Sequence, residues 1–119
     1  MARKSATSDF AIFQNYGCMG LYGGLDRAGV RHAKGMKPRQ NILDHIGSTE
    51  LAANLFRATQ AEEKLKRENI KGRPAANQAH FEVGRKVRQV IADIGGRMPE
   101  KLPPAENIAK LGRRLAESE

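Results

Sequence analysis

The sequence predicts an all-α fold, a helical hairpin of two long helices with three or four short helices packed on it. Segments at about 48–70 and 74–94 carry apolar residues at helical spacing, and a glycine and a proline separate them. No stretch alternates apolar and polar residues with a period of two, as a half-buried strand would. Aromatic residues make up only 5% of the chain, which favours packed helices over a β-sandwich. We therefore expect a disordered start at 1–7 and a single helical domain at 8–117.

Two short helices are predicted before the hairpin. The first begins at Thr7 or Ser8, whose hydroxyl provides an N-cap, and it ends at Gly17. Four glycines between residues 17 and 24 then predict a tight turn. The second helix spans about 25–34 and ends at Gly35. Its spacing predicts that four residues face inward: Leu21, Leu25, Ala28 and His32.

The first long helix follows a single helical turn at 41–46. Gly47 ends that turn, and Ser48 is predicted to cap the long helix through its hydroxyl. Apolar residues at helical spacing predict its buried arc: Leu51, Ala52, Leu55, Phe56 and Thr59.

The second long helix is predicted to begin at Pro74, because proline suits the first turn of a helix. Gly95 and Gly96 end it. Its buried stripe is predicted to consist of Ala76, Val83, Val87, Val90, Ile91 and Ile94. A proline-rich connector at 98–104 is expected to be extended, and a last helix is expected at 105–116.

Lysine and arginine number 21 against 13 acidic residues, which gives a net charge of +8. Such an excess favours a polyanionic partner, and a surface charged only for solubility is the alternative. Cys18 is the only cysteine, so we expect neither an intramolecular disulfide nor a cysteine-rich zinc site. A reducing compartment such as the bacterial cytoplasm fits this composition. No apolar run approaches the ~20 residues of a membrane span, so no membrane partner is expected.

The sequence predicts neither an enzyme nor a cofactor or metal site. His32, His45 and His80 stand far apart, without the spacing of a metal-binding motif. We interpret His80 as a buried residue that satisfies other polar groups. Gly84, four residues later, is interpreted as a point where another backbone approaches closely.

An aromatic residue and two arginines lie together on the second long helix. Phe81, Arg85 and Arg88 are spaced i, i+4, i+7, away from the predicted apolar stripe, so we expect them to face outward. A ring beside two guanidinium groups suits a nucleobase with its phosphates, or an acidic peptide. The alternative is that Phe81 packs under another helix and the arginines are merely solvated. Four further cations are predicted to support this surface: Arg27, Arg31, Lys34 and Lys64.

Several segments resemble the C-terminal region of the DNA-damage-inducible protein D family. Residues 42–60 read Ile-Leu-Asp-His-Ile-Gly-Ser-Thr-Glu-Leu-Ala-Ala-Asn-Leu-Phe-Arg-Ala-Thr-Gln, which is similar to a signature of that family. So are Asp-Phe-Ala-Ile-Phe-Gln-Asn at 9–15 and Gly-Gly-Arg-Met-Pro-Glu at 95–100. The family's N-terminal domain, which is like those of baculovirus-repeat and phage antirepressor proteins, is not in this chain.

The resemblance implies a non-catalytic protein of the SOS response to DNA damage that modulates the recombinase filament on single-stranded DNA. The implied partners are single-stranded DNA, the recombinase–DNA filament, or both. The alternative function is a protein–protein or self-association module, possible as a homo-oligomer, whose charge serves solubility alone.

Overall fold

The structure is a computed structural model that describes the backbone of residues 2–104 and the side chains of residues 9–104. This part of the chain is all-α, as predicted, and contains no strand. The elements are α1 (Ala2–Leu21), α2 (Arg27–Ala33), α3 (Ser48–Arg67) and α4 (Arg73–Asp93), with 3₁₀ turns at Ile42–Asp44 and Pro99–Lys101. The predicted last helix at 105–116 lies outside the described residues. None of the described helices is both long and apolar enough to cross a membrane.

The hairpin of α3 and α4 is confirmed, and its ends follow the predicted signals. Pro74 lies in the first turn of α4, after Gly72, whose φ of 89° is positive. Gly95 ends α4 in the left-handed region at φ 79°, where its N–H donates to the Ala92 carbonyl at 3.0 Å. Glycine adopts this conformation without the Cβ penalty of other residues, and it therefore stops the helix.

The first helix is a third long helix, and the prediction that Gly17 ends it is wrong. α1 begins at Ala2 and continues to Leu21. The tight turn comes only at Gly23 and Gly24, whose φ values are 67° and 101°. A glycine inside a helix costs about 1 kcal/mol relative to alanine. The contact of α1 with α4 accounts for that cost at Gly17 and Gly20.

Glycines allow the backbones of α1 and α4 to touch, as predicted for Gly84. A Cβ added at Gly84 would lie 2.5 Å from the Gly17 carbonyl oxygen and 2.8 Å from the Leu21 nitrogen. One added at Gly20 would overlap the Phe81 carbonyl oxygen. α1 consequently packs more extensively on α4 than α3 does.

Helix α2 presents a different face to the core from the predicted one. Its N-cap is Asp26, whose side chain accepts a hydrogen bond from the Gly29 N–H at 2.7 Å. Ala28 and His32 are exposed, although both were predicted to face inward. Val30 and the residue that follows the helix, Lys34, are buried in their place.

The buried face of α3 is polar, and the predicted buried arc is wrong. Leu55 and Phe56 are 52% and 54% exposed, and Ala52 and Thr59 are exposed as well. The helix instead buries Glu50, Asn54, Arg57 and Ala61, which also follow helical spacing. Its N-cap is Gly47 rather than Ser48, and no side chain caps it. Apolar spacing misled the prediction because the buried polar residues satisfy one another's hydrogen bonds, as described below.

The apolar core lies where α1, α2 and α4 meet the turn before α3. It consists of Cys18, Leu21, Tyr22, Val30, Ile42, Ile46 and Val87. On α4, the predicted stripe is only partly buried, since Val90 and Ile94 are 55% and 78% exposed. The connector after α4 forms a 3₁₀ turn with Pro99 buried, instead of the predicted extended segment.

Candidate functional site

The structure separates the seven residues that were predicted to form a binding surface. Arg27 and Arg85 are exposed and have no acidic partner among the described side chains. Arg31 is partly buried, and its Nε donates to the Gln40 carbonyl at 3.4 Å. Lys64 is partly buried and paired with Glu68 at 2.8 Å. These residues therefore do not form one continuous outward face.

Lys34 was predicted to be a surface cation, and that placement is wrong. Its ammonium group is 1% exposed and pairs with the Glu50 carboxylate at 2.8 Å. It also donates to the carbonyls of Pro99 at 3.0 Å and Leu102 at 2.7 Å. All three hydrogens of the ammonium group are thus used inside the protein, and Lys34 anchors the connector to the start of α3.

The predicted group of Phe81, Arg85 and Arg88 is also divided. Arg88 donates from both terminal nitrogens to the Glu100 carboxylate, at 2.7 and 2.9 Å, and a further bond reaches the Leu21 carbonyl. The hydrogen bond to Glu100 raises the pKa of Arg88. Phe81 is partly buried, which corrects the prediction that it faces outward. Arg85 alone keeps the exposure expected of a ligand-binding residue.

Positive charge nevertheless dominates the surface. Nine exposed cations have no acid within 4 Å in the described part of the chain: Arg27, Lys37, Arg39, Lys66, Lys71, Arg85, Lys86, Arg97 and Lys101. Arg85 and Lys86 are adjacent on α4 and border a shallow groove that reaches Gln89 and Met98. The excess of free cations confirms that a basic surface exists, although it differs from the predicted group.

A network of buried polar side chains lies on the hidden face of α3. The Tyr22 hydroxyl donates to the Glu50 carboxylate and accepts from the Asn54 amide at 3.0 Å. Lys34 binds the other carboxylate oxygen of Glu50. Burial, followed by the hydrogen bond to Glu50, raises the pKa of Tyr22 above its ordinary value. The network therefore holds the tyrosine neutral and the carboxylate fully bonded.

The network continues to Arg57, one turn further along α3. Its Nη1 donates to the Gln14 amide oxygen at 3.2 Å and to His80 Nε2 at 2.9 Å, and its Nη2 donates to Asn54 Oδ1 at 3.1 Å. Every one of these acceptors is neutral, and no carboxylate of the described residues lies within 4 Å of the guanidinium. Burial lowers the pKa of Arg57. It is thus a buried cation without a counter-ion in this part of the chain.

His80 lies fully buried between α1 and α4 and acts as a hydrogen-bond acceptor. Its ring packs beside Phe13, with ring centres 4.3 Å apart, and leaves no room for a side chain at Gly17. Because Arg57 donates to Nε2, the histidine must be neutral, with its proton on Nδ1. Burial and then the charge of Arg57 lower the pKa of His80 to about 4, against a weak opposing contribution from the Phe13 backbone. This supports the interpretation of His80 as a residue that satisfies buried polar groups.

Acid should destabilise the protein through His80. Its pKa is about 4 in the folded chain and 6.5 in the unfolded one, so the unfolded state binds more protons between these values. The stabilisation is complete above pH 6.5 and is lost as the pH falls to about 4, by up to about 3 kcal/mol. Urea unfolding of the parent and of His80→Gln across this range would measure it. Identical pH slopes for the two proteins would contradict the assignment.

A cavity of about 500 Å³ opens beside Arg57, between α1, the start of α2 and the turn before α3. Arg27 stands at it as an exposed cation, and Phe10, which is 60% exposed, contributes an aromatic ring. The buried Cys18 also borders the cavity, but burial raises the pKa of its thiol to about 11. A thiol with such a pKa stays protonated at neutral pH, so the cavity's chemistry is that of its cations and amides.

Sequence reasoning missed this cavity because it treated Arg57 as part of a solvated row with Lys64 and Arg67. The available signal was the spacing of Glu50, Asn54 and Arg57 at i, i+4, i+7, the spacing expected of a buried helical face. Polar residues at such positions are usually read as solvent-facing, and only their partners reveal the reverse.

Comparison with known proteins places this chain in one family. The DinD C-terminal domain family matches residues 2–111. The chain is 60% identical over 111 residues to DNA damage-inducible protein D of Escherichia coli (strain K12), a match that covers 92% of this chain and 40% of that protein. The chain thus spans about two fifths of the relative's length. No solved structure matches it. Because the match extends over nearly all of α1 to α4 and the connector, the chain belongs to the DinD C-terminal domain family.

Proposed function

We propose that this domain acts in the response to DNA damage as a non-catalytic module that binds single-stranded DNA, the recombinase–DNA filament, or both. The observation that carries the proposal is the excess of exposed cations without acidic partners on the described surface. Family membership supports the setting, because the E. coli relative is named for its induction by DNA damage. A surface of this charge attracts a polyanion by releasing the counter-ions condensed on it.

The structure narrows the residues that would contact phosphates. Arg85 and Lys86 project from α4 beside an open groove, and Arg27 stands at the cavity next to Arg57. Lys34 and Arg88 have no part in direct contact, because their hydrogens are already used by Glu50, Glu100 and backbone carbonyls.

A non-catalytic role is supported by the state of the buried titratable groups. Glu50 is held by Lys34 and Tyr22, and the Nε2 of His80 accepts from Arg57. General acid–base catalysis needs a group within reach of a substrate and with a pKa near the working pH. The pKa of His80 lies well below neutrality, and its ring is buried, so it is not suited to that task.

Salt dependence of binding tests the proposal. Purified protein titrated against bare and recombinase-coated single strands should bind more weakly at the higher of two salt concentrations. Each phosphate contact should contribute roughly 0.7 to the slope of log K against log salt. An Arg85→Gln/Lys86→Gln variant should lower that slope by about 1 to 1.5 units. A flat dependence would exclude phosphates as the main ligand.

The control for these variants is Arg67→Gln, whose parent side chain is exposed but already paired with Glu63 and Glu68. It removes the same formal charge from a neutralised position, so the slope should change less. The second candidate function is self-association, which the exposed apolar side chains of Leu55, Phe56 and Val90 favour. Light scattering on the same samples distinguishes the two. A stable oligomer together with unchanged binding in the Arg85→Gln/Lys86→Gln variant would support self-association instead.

A further inference from the structure

The uncompensated charge of Arg57 is the feature that the proposed function does not yet explain. Removing a charge from water costs several kcal/mol unless an opposite charge and hydrogen bonds replace the lost hydration. Arg57 is 7% exposed and has neutral partners only, while its Nε has no partner among the described residues. Lys34, the other buried cation, has Glu50 for this purpose. An anion from outside the chain would complete the site of Arg57.

The position of Arg57 makes such an anion possible, because the residue borders the cavity between α1 and α3. Nη2 donates only to Asn54, which leaves one of its two hydrogens unused. Arg27 lies at the same cavity, and its charge helps to lower the pKa of Arg57, so both guanidinium groups act on one region. The nearest acid on α2 is Asp26, whose side chain is engaged in capping Gly29.

The remaining walls favour a ligand that is larger than a simple ion. The cavity volume of about 500 Å³ lies in the range of small-molecule sites, which are mostly apolar with a few convergent polar groups. Phe10, Ile42 and Leu43 contribute apolar surface, and Asn41 contributes an amide. Phe10 is exposed although it belongs to the cavity wall. An exposed ring beside a cationic site is suited to stack on a nucleobase.

We infer that this cavity binds one nucleotide, with its phosphate held by Arg57 and Arg27 and its base stacked on Phe10. Arg57 is the group that makes the site selective for an anion, because its charge is buried and fixed by Gln14, Asn54 and His80. A fixed guanidinium presents its donors to a phosphate without further ordering. The inference rests on the proposed function where the nucleotide belongs to a DNA strand, and a free nucleotide is the other source of the same chemistry.

Nuclear magnetic resonance titration of the ¹⁵N-labelled full chain tests the inference with three probes. These are inorganic phosphate, thymidine monophosphate and a short oligothymidylate. The side-chain signals of Arg57 and Asn54 should shift with each probe that occupies the site. Signals of Arg39, an exposed cation outside the cavity, serve as the internal reference. Thymidine monophosphate that leaves the Arg57 signals unchanged at millimolar concentration would overturn the inference.

Two exposed positions allow variants that leave the buried network intact. Phe10→Ala should weaken binding of thymidine monophosphate about tenfold, as loss of one stacked base does, and should leave binding of inorganic phosphate unchanged. Arg27→Gln should weaken both about tenfold through loss of a charged contact. The matched control Arg39→Gln should alter neither. Equal affinities of all three variants for the mononucleotide would also overturn the inference.

The probes separate failure of this inference from failure of the proposed function. If the oligothymidylate binds with a normal salt slope but leaves Arg57 unaffected, the cavity inference fails and the proposed surface binding stands. If only the mononucleotide binds and shifts Arg57, the cavity is a site for free nucleotides and the strand-binding proposal fails.

Discussion

Replacement of Gly84 by alanine is expected to lower the free energy of unfolding by about 3 kcal/mol, because overpacking against a rigid backbone costs 1–3 kcal/mol or more. The new methyl carbon would lie 2.5 Å from the Gly17 carbonyl oxygen and 2.8 Å from the Leu21 nitrogen. Both atoms belong to the backbone of α1, which can move only if the whole α1–α4 contact opens. Alanine has the higher helix propensity, so its gain of about 1 kcal/mol is included in this net loss.

Urea unfolding followed by circular dichroism would measure the effect. Gly29→Ala is the matched control, since Gly29 is also a helical glycine and its nearest neighbours are side-chain atoms of Asp26 and Leu25, at 3.2 and 3.3 Å. Those atoms can shift, so this variant should stay within about 1 kcal/mol of the parent. An unfolding free energy for Gly84→Ala at or above the parental value would show that α1 and α4 do not touch as described.

Neutralisation of Glu50 is expected to be comparably damaging, because removal of one member of a buried ion pair costs about 3–5 kcal/mol. Glu50→Gln keeps the shape of the side chain, so any effect comes from charge and hydrogen bonding rather than from a cavity. The Lys34 ammonium would then stay buried with two backbone carbonyls as its remaining partners. The Tyr22 hydroxyl would lose its carboxylate acceptor as well.

Two comparisons isolate the contribution of the ion pair. Glu68→Gln removes a carboxylate whose partner Lys64 is partly exposed, and it should change stability by no more than about 1 kcal/mol. A Lys34→Met/Glu50→Leu double variant should be more stable than Glu50→Gln, since it leaves no unpaired charge. Equal losses in Glu50→Gln and Glu68→Gln would contradict the buried position of Glu50.

The helices and their ends could be predicted because their signals are local. Pro74 opens α4 and Gly95 closes it, and both act through their own backbone geometry wherever the helix packs. Gly17 misled the prediction because glycine has two uses. It ends helices through a positive φ, and it also lets two helices touch, and sequence alone does not distinguish these uses at a given position.

The candidate site was predicted less well, because burial of a helix face depends on partners that are distant in sequence. The acceptors of Arg57 include Gln14 and His80, which are 43 and 23 residues away. Similarly, Glu100 neutralises Arg88 only because the connector folds back on α4. A spacing argument assigned Arg85 and Arg88 to one surface, although only the former remains free.

By itself the sequence determined the all-α class, the hairpin, the family and the net positive charge, because helix signals and composition do not depend on long-range contacts. Tertiary structure alone decided which face of α3 is buried. Polar side chains occupy the interior there because Tyr22, Lys34 and His80 arrive from other segments with matching donors and acceptors. The free energy of burying a polar group depends on those partners, and hydrophobic spacing along one helix carries no information about them.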